Sequence, residues 1–432
     1  MDALKPLRAA LDWMARSQWR SFIVIFVLAF AIRGFFLTKV STQYVLPHTR
    51  WEMEAVATAL AERGEFADPY VLPTGPTAHL PPVMPGILAA IWRLFGMGLA
   101  AGYIAWLVRI ATYATLYAML PWLSEKLGLA RQAGVLAGIT GSLVALWPGH
   151  GEALTAIAMG LLLVAFLRRW DSSRSSAGGS LLIGLAAGVS FHLQPALLPV
   201  VLGCIAFELW WRAGRRKWRL STLMVLGMLL AGAPWAYRNY TTFGELFFIR
   251  SNLGLELRMG NHEDAAAAMD VMDARQEHRH PRTHEAEARL VQELGEVTYM
   301  RLAGREAFDW IVAHPGSFVS LTLSRAVHFW LGPLHRPWIA AWVTALTLLA
   351  LLGAIRIIPS MAIPQRAALL IPLATYPLIY YVVAYMSRYR VPLNWILLVL
   401  AGAEVWYWID KLTSLPSSKA QAIKSSSFGT RV

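Results

Sequence analysis

The sequence predicts an all-α polytopic membrane protein of about ten transmembrane helices, with two polar loop regions that carry short helices. Three observations predict it. Of 432 residues, 56% are hydrophobic and only 15% are charged, whereas soluble globular proteins carry about 25% charged residues. Apolar runs such as Ser21–Leu37, Trp338–Ile358 and Ala367–Met386 match the roughly 20 residues that cross a hydrocarbon core of about 30 Å. Many of the 19 tryptophans stand near the ends of such runs, as in the aromatic belts of membrane interfaces.

The net charge of +13 does not indicate nucleic-acid binding. Lys and Arg sit in short clusters between apolar runs, which is the positive-inside pattern. The lone cysteine, Cys204, lies within an apolar run. It excludes an internal disulfide or a Cys-rich metal site and reads as a small buried hydrophobe. No small-residue cleavage site follows the first apolar run, and Arg33 interrupts its outer end. That run is therefore read as a retained span and not as a secretory leader.

In chain order, Leu4, Leu7, Leu11 and Met14 recur at helical spacing with Lys5, Arg8 and Arg16 on other faces, which predicts an amphipathic helix on the inner leaflet. Span 1 follows at about 21–38. Residues 39–99 form the first external loop, and its segment Pro73–Pro82 cannot be helical because prolines break the hydrogen-bond ladder. Further spans are expected at about 100–122, 132–147, 151–167, 179–192, 195–211 and 220–237. A long polar region then runs from 238 to 336, and spans at 338–358, 366–386 and 391–409 close the membrane part. Residues 411–432 read as a disordered cytoplasmic tail rich in Ser and Lys.

Charge tests this count. Arg168–Arg174, Trp211–Arg219, Arg356–Arg366 and the tail are basic and should be cytoplasmic. They agree with ten spans, both termini inside and 238–336 outside, if Val83–Phe95 does not cross. If that stretch also crosses, making eleven, the charge pattern holds only when 179–211 merges into one long span. Within 238–336, Thr283 is expected to cap a helix with Glu285 and Glu287 in its first turn and an apolar stripe of Leu290, Leu294 and Val297. A second helix should end near His314-Pro315.

Ionisable groups beside spans are informative, because a charge at mid-bilayer costs several kcal/mol. They gather on the expected external side: Glu52, Glu54, His79, His150, Glu152, His192, Gln194, Arg238, Asn239, Arg258, His262, Arg388 and Arg390. Glu52 and Glu54 open a helix at Trp51–Ala61, about 200° apart around it, so one of them can face a given site. Either suits a general base just above the bilayer, and either also suits simple dipole complementarity. Arg238, at the outer end of a span, stands where a lipid phosphate would lie. Arg388 and Arg390 run against the positive-inside rule, which an anionic ligand or a snorkelling anchor would explain. His262–His280 lacks compact ligand spacing and reads as a solvated loop. There is no Asp-x-Asp, Walker A or dinucleotide motif, so no metal ligands or cofactor are assigned.

Four stretches in order resemble the bacterial GT-C membrane glycosyltransferases, close to the glycosyltransferase 39 and protein-mannosyltransferase-like group. They are Trp51–Gly96, Pro234–Glu263, His314–Pro333 and Arg388–Trp395. The resemblance implies a GT-C-like fold in a bacterial inner membrane and an inverting transfer of a hexosyl or pentosyl group. It implies a polyprenyl-phosphate-sugar donor and a protein, lipid or glycan acceptor. The matching catalytic base is Glu52. Relatives often have a small residue where this chain has Glu54, so the choice between the two stays open. Arg238, Arg388, Arg390 and Arg258 are the candidates for the donor phosphate, and His79, His262, Asn239 and His192 for the substrate. Some relatives use a divalent metal, and the missing Asp-x-Asp favours metal independence. A transporter or flippase of lipid-linked sugars is the alternative; it would need charged or broken spans near the midplane, and few mid-span ionisable groups are present.

Overall fold

A computed structural model describes residues 4–47, 51–144, 151–170, 175–211, 216–275 and 279–414. The tail from 415 onward, His150 and parts of the basic loops at 171–174 and 212–215 lie outside the described residues. The rest is helical. The N-terminal half comprises α1 Lys5–Ala15, α2 Gln18–Leu37, α3 Thr42–Val45, α4 Glu52–Arg63, α5 Val83–Phe95, α6 Leu99–Lys126, α7 Arg131–Val144, α8 Glu152–Trp170, α9 Ala177–Phe191, α10 Leu197–Trp211 and α11 Arg216–Phe243. A polar segment carries α12 Leu253–Gly260, α13 Met269–Arg275, α14 Glu285–Leu294, α15 Glu296–Ala313 and α16 Pro315–Leu331, and α17 Pro337–Ile357, α18 Ile363–Thr375, α19 Leu378–Val382 and α20 Val391–Ser414 close the bundle.

Among the described residues, six helices are long and apolar enough to cross a membrane: α2, α6, α8, α11, α17 and α20 with the turn before it. The protein is therefore a multi-pass membrane protein. The expected spans at 132–147, 179–192 and 195–211 are helices of 14, 15 and 15 residues. At about 1.5 Å per residue these described stretches cover about 21–23 Å of a hydrocarbon core about 30 Å thick, and α7 and α10 end where the described residues end. The expected span at 366–386 is broken. α18 ends at Thr375, and Pro377, which has no N–H to donate and crowds the preceding turn, starts the short α19.

α20 lies at the centre, packed on α7, α17, α8 and α6. Leu393 and the run from Trp395 to Ala403 are all buried. α9 and α11 form the most extensive helix pair. Small residues allow it: a Cβ on Gly184 would overlap the Met224 carbonyl, and one on Gly227 would lie 2.5 Å from the Leu181 carbonyl oxygen. Such close backbone approach replaces hydrophobic attraction, which lipid does not supply between helices. Arg33 is buried inside the bundle. Its guanidinium donates to the carbonyls of Ala29, Gly141 and Ser142 and lies over the rings of Tyr113 and Tyr117, so the charge is solvated by protein dipoles and ring faces.

α1 docks through Leu11 and Ala15 against Val135 and Ile409, and Arg8 pairs with Asp410 at 2.6 Å. At the opposite end of the bundle the polar segment folds over the helix ends. α5 is an apolar helix of 13 residues, shorter than the six long ones. The Val83 N–H donates to the carbonyl of His192, at the end of α9, and α5 ends at Gly96, just before α6 begins. α14 starts at Glu285 with His284 as its cap, and Thr283 instead contacts the His280 carbonyl and the His284 ring. Its buried face is Glu287, Ala288 and Val291 and not the expected Leu290/Leu294 stripe, because Arg258 and Tyr299 draw Glu287 inward. α15 ends at Ala313 before Pro315, as expected.

Gly184→Leu should cost about 2 kcal/mol, the usual scale of overpacking. Its thermal melt in detergent should shift downward while an exposed control such as Leu182→Ala stays near the parent; equal melts would refute the close α9–α11 contact.

Candidate active site

The site side is built by the loop between α4 and α5. After Arg63 the chain turns at Gly64, and Asp68 takes a left-handed conformation (φ 59°) that Asp tolerates better than most residues. Its carboxylate accepts from the Gly75 N–H at 2.8 Å, and its own N–H donates to the Gly75 carbonyl. This closes a small loop that returns Thr77, Ala78 and His79 towards the start of α4. Two clamps hold it. Arg238 donates to the carbonyls of Thr77 (2.8 Å) and Phe66 (3.0 Å). Glu296, buried at the start of α15, accepts from the Thr77 hydroxyl, from the Ala78 N–H at 2.8 Å and from the Ser251 hydroxyl at 2.7 Å.

The result brings His79 against Glu52. The His79 Nε2 lies 3.4 Å from Glu52 Oε1, and the Nε2 of His280 lies 3.2 Å from the same oxygen. Tyr70 contacts His79 Nδ1 through its hydroxyl at 3.0 Å. Burial alone would raise the Glu52 pKa. His280 and His79, with Arg388 behind them, outweigh burial and hold the carboxyl well below the usual carboxylate range. Burial works against a charged His79, yet Glu52, with help from Glu296 and Glu256, raises it above the ordinary histidine value.

Glu52, His79 and His280 offer three ligand atoms within 4.8 Å of one another, a His₂Glu set of a kind that holds zinc. These are the residues that would hold a divalent cation. Their outer partners fit such an ion unevenly. The Tyr70 hydroxyl can accept from His79 Nδ1, as the second partner of a ligating imidazole does. The Arg282 backbone N–H, however, donates to His280 Nδ1 at 3.0 Å, which leaves the His280 proton on Nε2, facing Glu52. As drawn, the trio is a hydrogen-bonded cluster, and a metal would need the His280 ring turned over. His280 falls in the stretch read from sequence as a solvated loop. No local spacing marks it, because its partners are Glu52 and His79, far away in the chain.

Glu54 faces the other way. It is 7% exposed, and burial raises its pKa to about 7 against the pull of Arg109 and Arg282. Arg109 lines an apolar groove between α5, α6 and the start of α8, with Ile87, Leu88, Val108, Thr112 and Leu154 among its walls. α4 thus shows one carboxylate to the histidine cluster and the other towards the groove. Sequence reading missed Arg109 because a single arginine inside an apolar run has no motif.

The four candidate arginines separate. Arg388 is exposed and faces Glu52, Glu152 and Glu256 electrostatically. Arg238 is committed to loop carbonyls. Arg390 is buried and donates to the Trp330 carbonyl and the Thr347 hydroxyl. Arg258 is bound by Glu287, Glu306 and Tyr299. Among the candidate substrate residues, only His79 joins the cluster. Asn239 is buried and holds the Phe247 carbonyl. His192 packs edge-on to Trp235. His262 lies just past the end of α12, outside the trio.

No family model matches the chain, and no curated protein sequence matches it. Solved structures do resemble it. The archaeal oligosaccharyltransferase AglB from Archaeoglobus fulgidus, in complex with an inhibitory peptide and a dolichol-phosphate, superposes with a TM-score of 0.56 at 15% identity, over 97% of this chain and 53% of AglB. The chain thus spans about half the length of AglB. ArnT from Cupriavidus metallidurans, bound to undecaprenyl phosphate or in the apo state, gives TM-scores of 0.38 and 0.36 at 15% identity, over 92% of this chain and 78% of ArnT. The AglB likeness shows that this chain shares its fold with part of AglB.

Glu54 should leave a pH signature. A carboxyl whose folded pKa exceeds its unfolded value binds more protons when folded, so stability falls as pH rises. The loss should span pH 4.5 to about 7, and Glu54→Gln should flatten that part of a melting-temperature profile. An unchanged slope in Glu54→Gln would show that Glu54 is not the titrating group.

Proposed function

We propose that this protein transfers a sugar from a polyprenyl-phosphate carrier to an acceptor at the outer membrane face, with inversion, and that Glu52 is the general base. One observation carries the proposal. A carboxylate held ionised by His79 and His280 lies within electrostatic reach of an exposed arginine, Arg388.

In this reading ten helices cross: α2, α6 to α11, α17, α18 and α20, the shorter ones where the bilayer thins or flanking residues snorkel. α1, the basic end of α8 at Arg168 and Arg169 and the basic start of α11 at Lys217 and Arg219 face inward, and the polar segment faces outward. The donor's tail lies in the groove walled by α5, with Arg109 at its polar end, and its phosphate reaches Arg388. The acceptor oxygen attacks the anomeric carbon as the carbon–phosphate oxygen bond breaks. The phosphate leaves with the bonding electrons, and Arg388 stabilises its growing charge. The sugar carbon is oxocarbenium-like at that stage. An attacking hydroxyl becomes acidic as its bond to carbon forms, so even a carboxylate of depressed pKa can take its proton. The solved complex of AglB with a dolichol-phosphate makes a lipid-phosphate-linked sugar the natural donor to test.

The test uses purified protein in proteoliposomes with radiolabelled polyprenyl-phosphate sugars and candidate acceptors. Glu52→Gln should lower kcat by about 10²–10⁴-fold while the protein still inserts and melts normally. Arg388→Ala should lower kcat and weaken donor binding together. Full transfer by Glu52→Gln would overturn the base assignment. Movement of the lipid-linked sugar across the bilayer without transfer would overturn the reaction class.

A further inference from the structure

Three aromatic rings lie in register beside Arg388. Tyr389 stacks on Tyr380 with centroids 4.4 Å apart and planes at 22°, and Tyr380 stacks on Phe329 at 6.1 Å and 14°. The inner two are buried, whereas Tyr389 is only half-buried. The stack is fixed from behind. Gln194 donates to the Tyr380 hydroxyl at 2.9 Å, and Tyr376 meets that hydroxyl at 3.3 Å. The outermost ring is thus a rigid, partly open surface, and Tyr389 packs on no further aromatic ring among the described residues.

Its neighbours are polar and underused. Arg388 has its guanidinium 5.7 Å from the Tyr389 ring centre and faces Glu52. Glu152, at the start of α8, accepts from its own Gly151 N–H at 3.0 Å. Glu256, on α12, accepts from the Asn252 amide at 2.9 Å. Both carboxylates act electrostatically on Arg388, and Glu256 acts on Tyr389 as well. An ionised carboxylate has about four acceptor positions, so each has capacity left for hydroxyl groups. An apolar ring face with hydroxyl acceptors in electrostatic reach is the complement of a sugar ring. The sugar's axial C–H bonds lie on the electron-rich ring face, and its equatorial hydroxyls point outward to the rim.

We infer that Tyr389 is the platform for the donor's sugar ring, with Glu152 and Glu256 accepting hydrogen bonds from the sugar hydroxyls. The inference rests on the glycosyl-transfer reading above. It assigns the sugar to Tyr389 and leaves the lipid phosphate to the arginines, so the two halves of the donor are separable by experiment.

Polyprenyl phosphate without a sugar is the probe, used as a competitive inhibitor of the wild-type and variant enzymes. Tyr389→Leu should raise the donor KM about tenfold while the inhibition constant of polyprenyl phosphate stays within about twofold, as expected for loss of one ring-face contact. Tyr389→Phe, which keeps the ring, should recover most of that loss. A parallel rise of KM and inhibition constant in Tyr389→Leu would mean that Tyr389 only shapes the fold, and would overturn the inference. So would an unchanged donor KM. If the unaltered protein transfers no sugar, the function itself falls and the platform with it; transfer by the parent with an indifferent Tyr389→Leu removes the platform alone.

Discussion

The site depends on one buried carboxylate that does no chemistry of its own. Glu296 holds two separate segments at once: Thr77 and Ala78 of the loop before α5, and Ser251 of the segment before α12. Without that clasp a proline-rich loop has no regular hydrogen-bonding to fix it. His79 would then have no defined position relative to Glu52. Arg238 adds the second fixed point through the Phe66 and Thr77 carbonyls. A buried charge is expensive unless it is paired and hydrogen-bonded. The three donors on Glu296 make it tolerable and also make the loop geometry specific.

The same logic sorts the bundle's other buried ions. Arg33 is surrounded by carbonyls and tyrosine rings, and Arg325 by the Gly260 and Val382 carbonyls and Asn261. Arg169 pairs with Glu208 at 2.5 Å. Each of these lies between helices and braces them. Arg388 differs because it is exposed and is not among the ion pairs of the described residues, and that difference is why the proposed function gives it the donor phosphate. A cation buried with partners is held by the architecture, whereas an exposed one is accessible to a ligand.

Much of the membrane architecture was legible in the sequence. Long apolar runs must be helices because a bilayer offers no water to unpaired backbone groups, and α2, α6, α8, α11, α17 and α20 all fall on expected runs. Pro377 was visible as a break signal, but an apolar run that continues past it reads as one span. The site was only partly legible. Glu52, His79 and Arg388 stood out as polar groups at span edges. Arg238, Arg258 and Arg390 looked equally suitable, and only the fold shows that they engage carbonyls, carboxylates and hydroxyls from distant parts of the chain. His280 and Tyr389 had no local signal, since each gains meaning from a neighbour that the fold supplies.

The two-sided character of α4 has a consequence for the length of the helix itself. Each residue turns a helix by about 100°. Glu52 faces the histidines and Glu54 faces the groove only because α4 starts at one rotational phase. Adding or removing a single residue inside α4, between Glu54 and the Ala57 and Leu60 that pack towards α5, would turn both carboxylates by about 100° relative to that packed face, even though composition and hydropathy would barely change. The body of α4 therefore has a counted length, like the tooth spacing of a gear, and a deletion there would be far more damaging than a substitution.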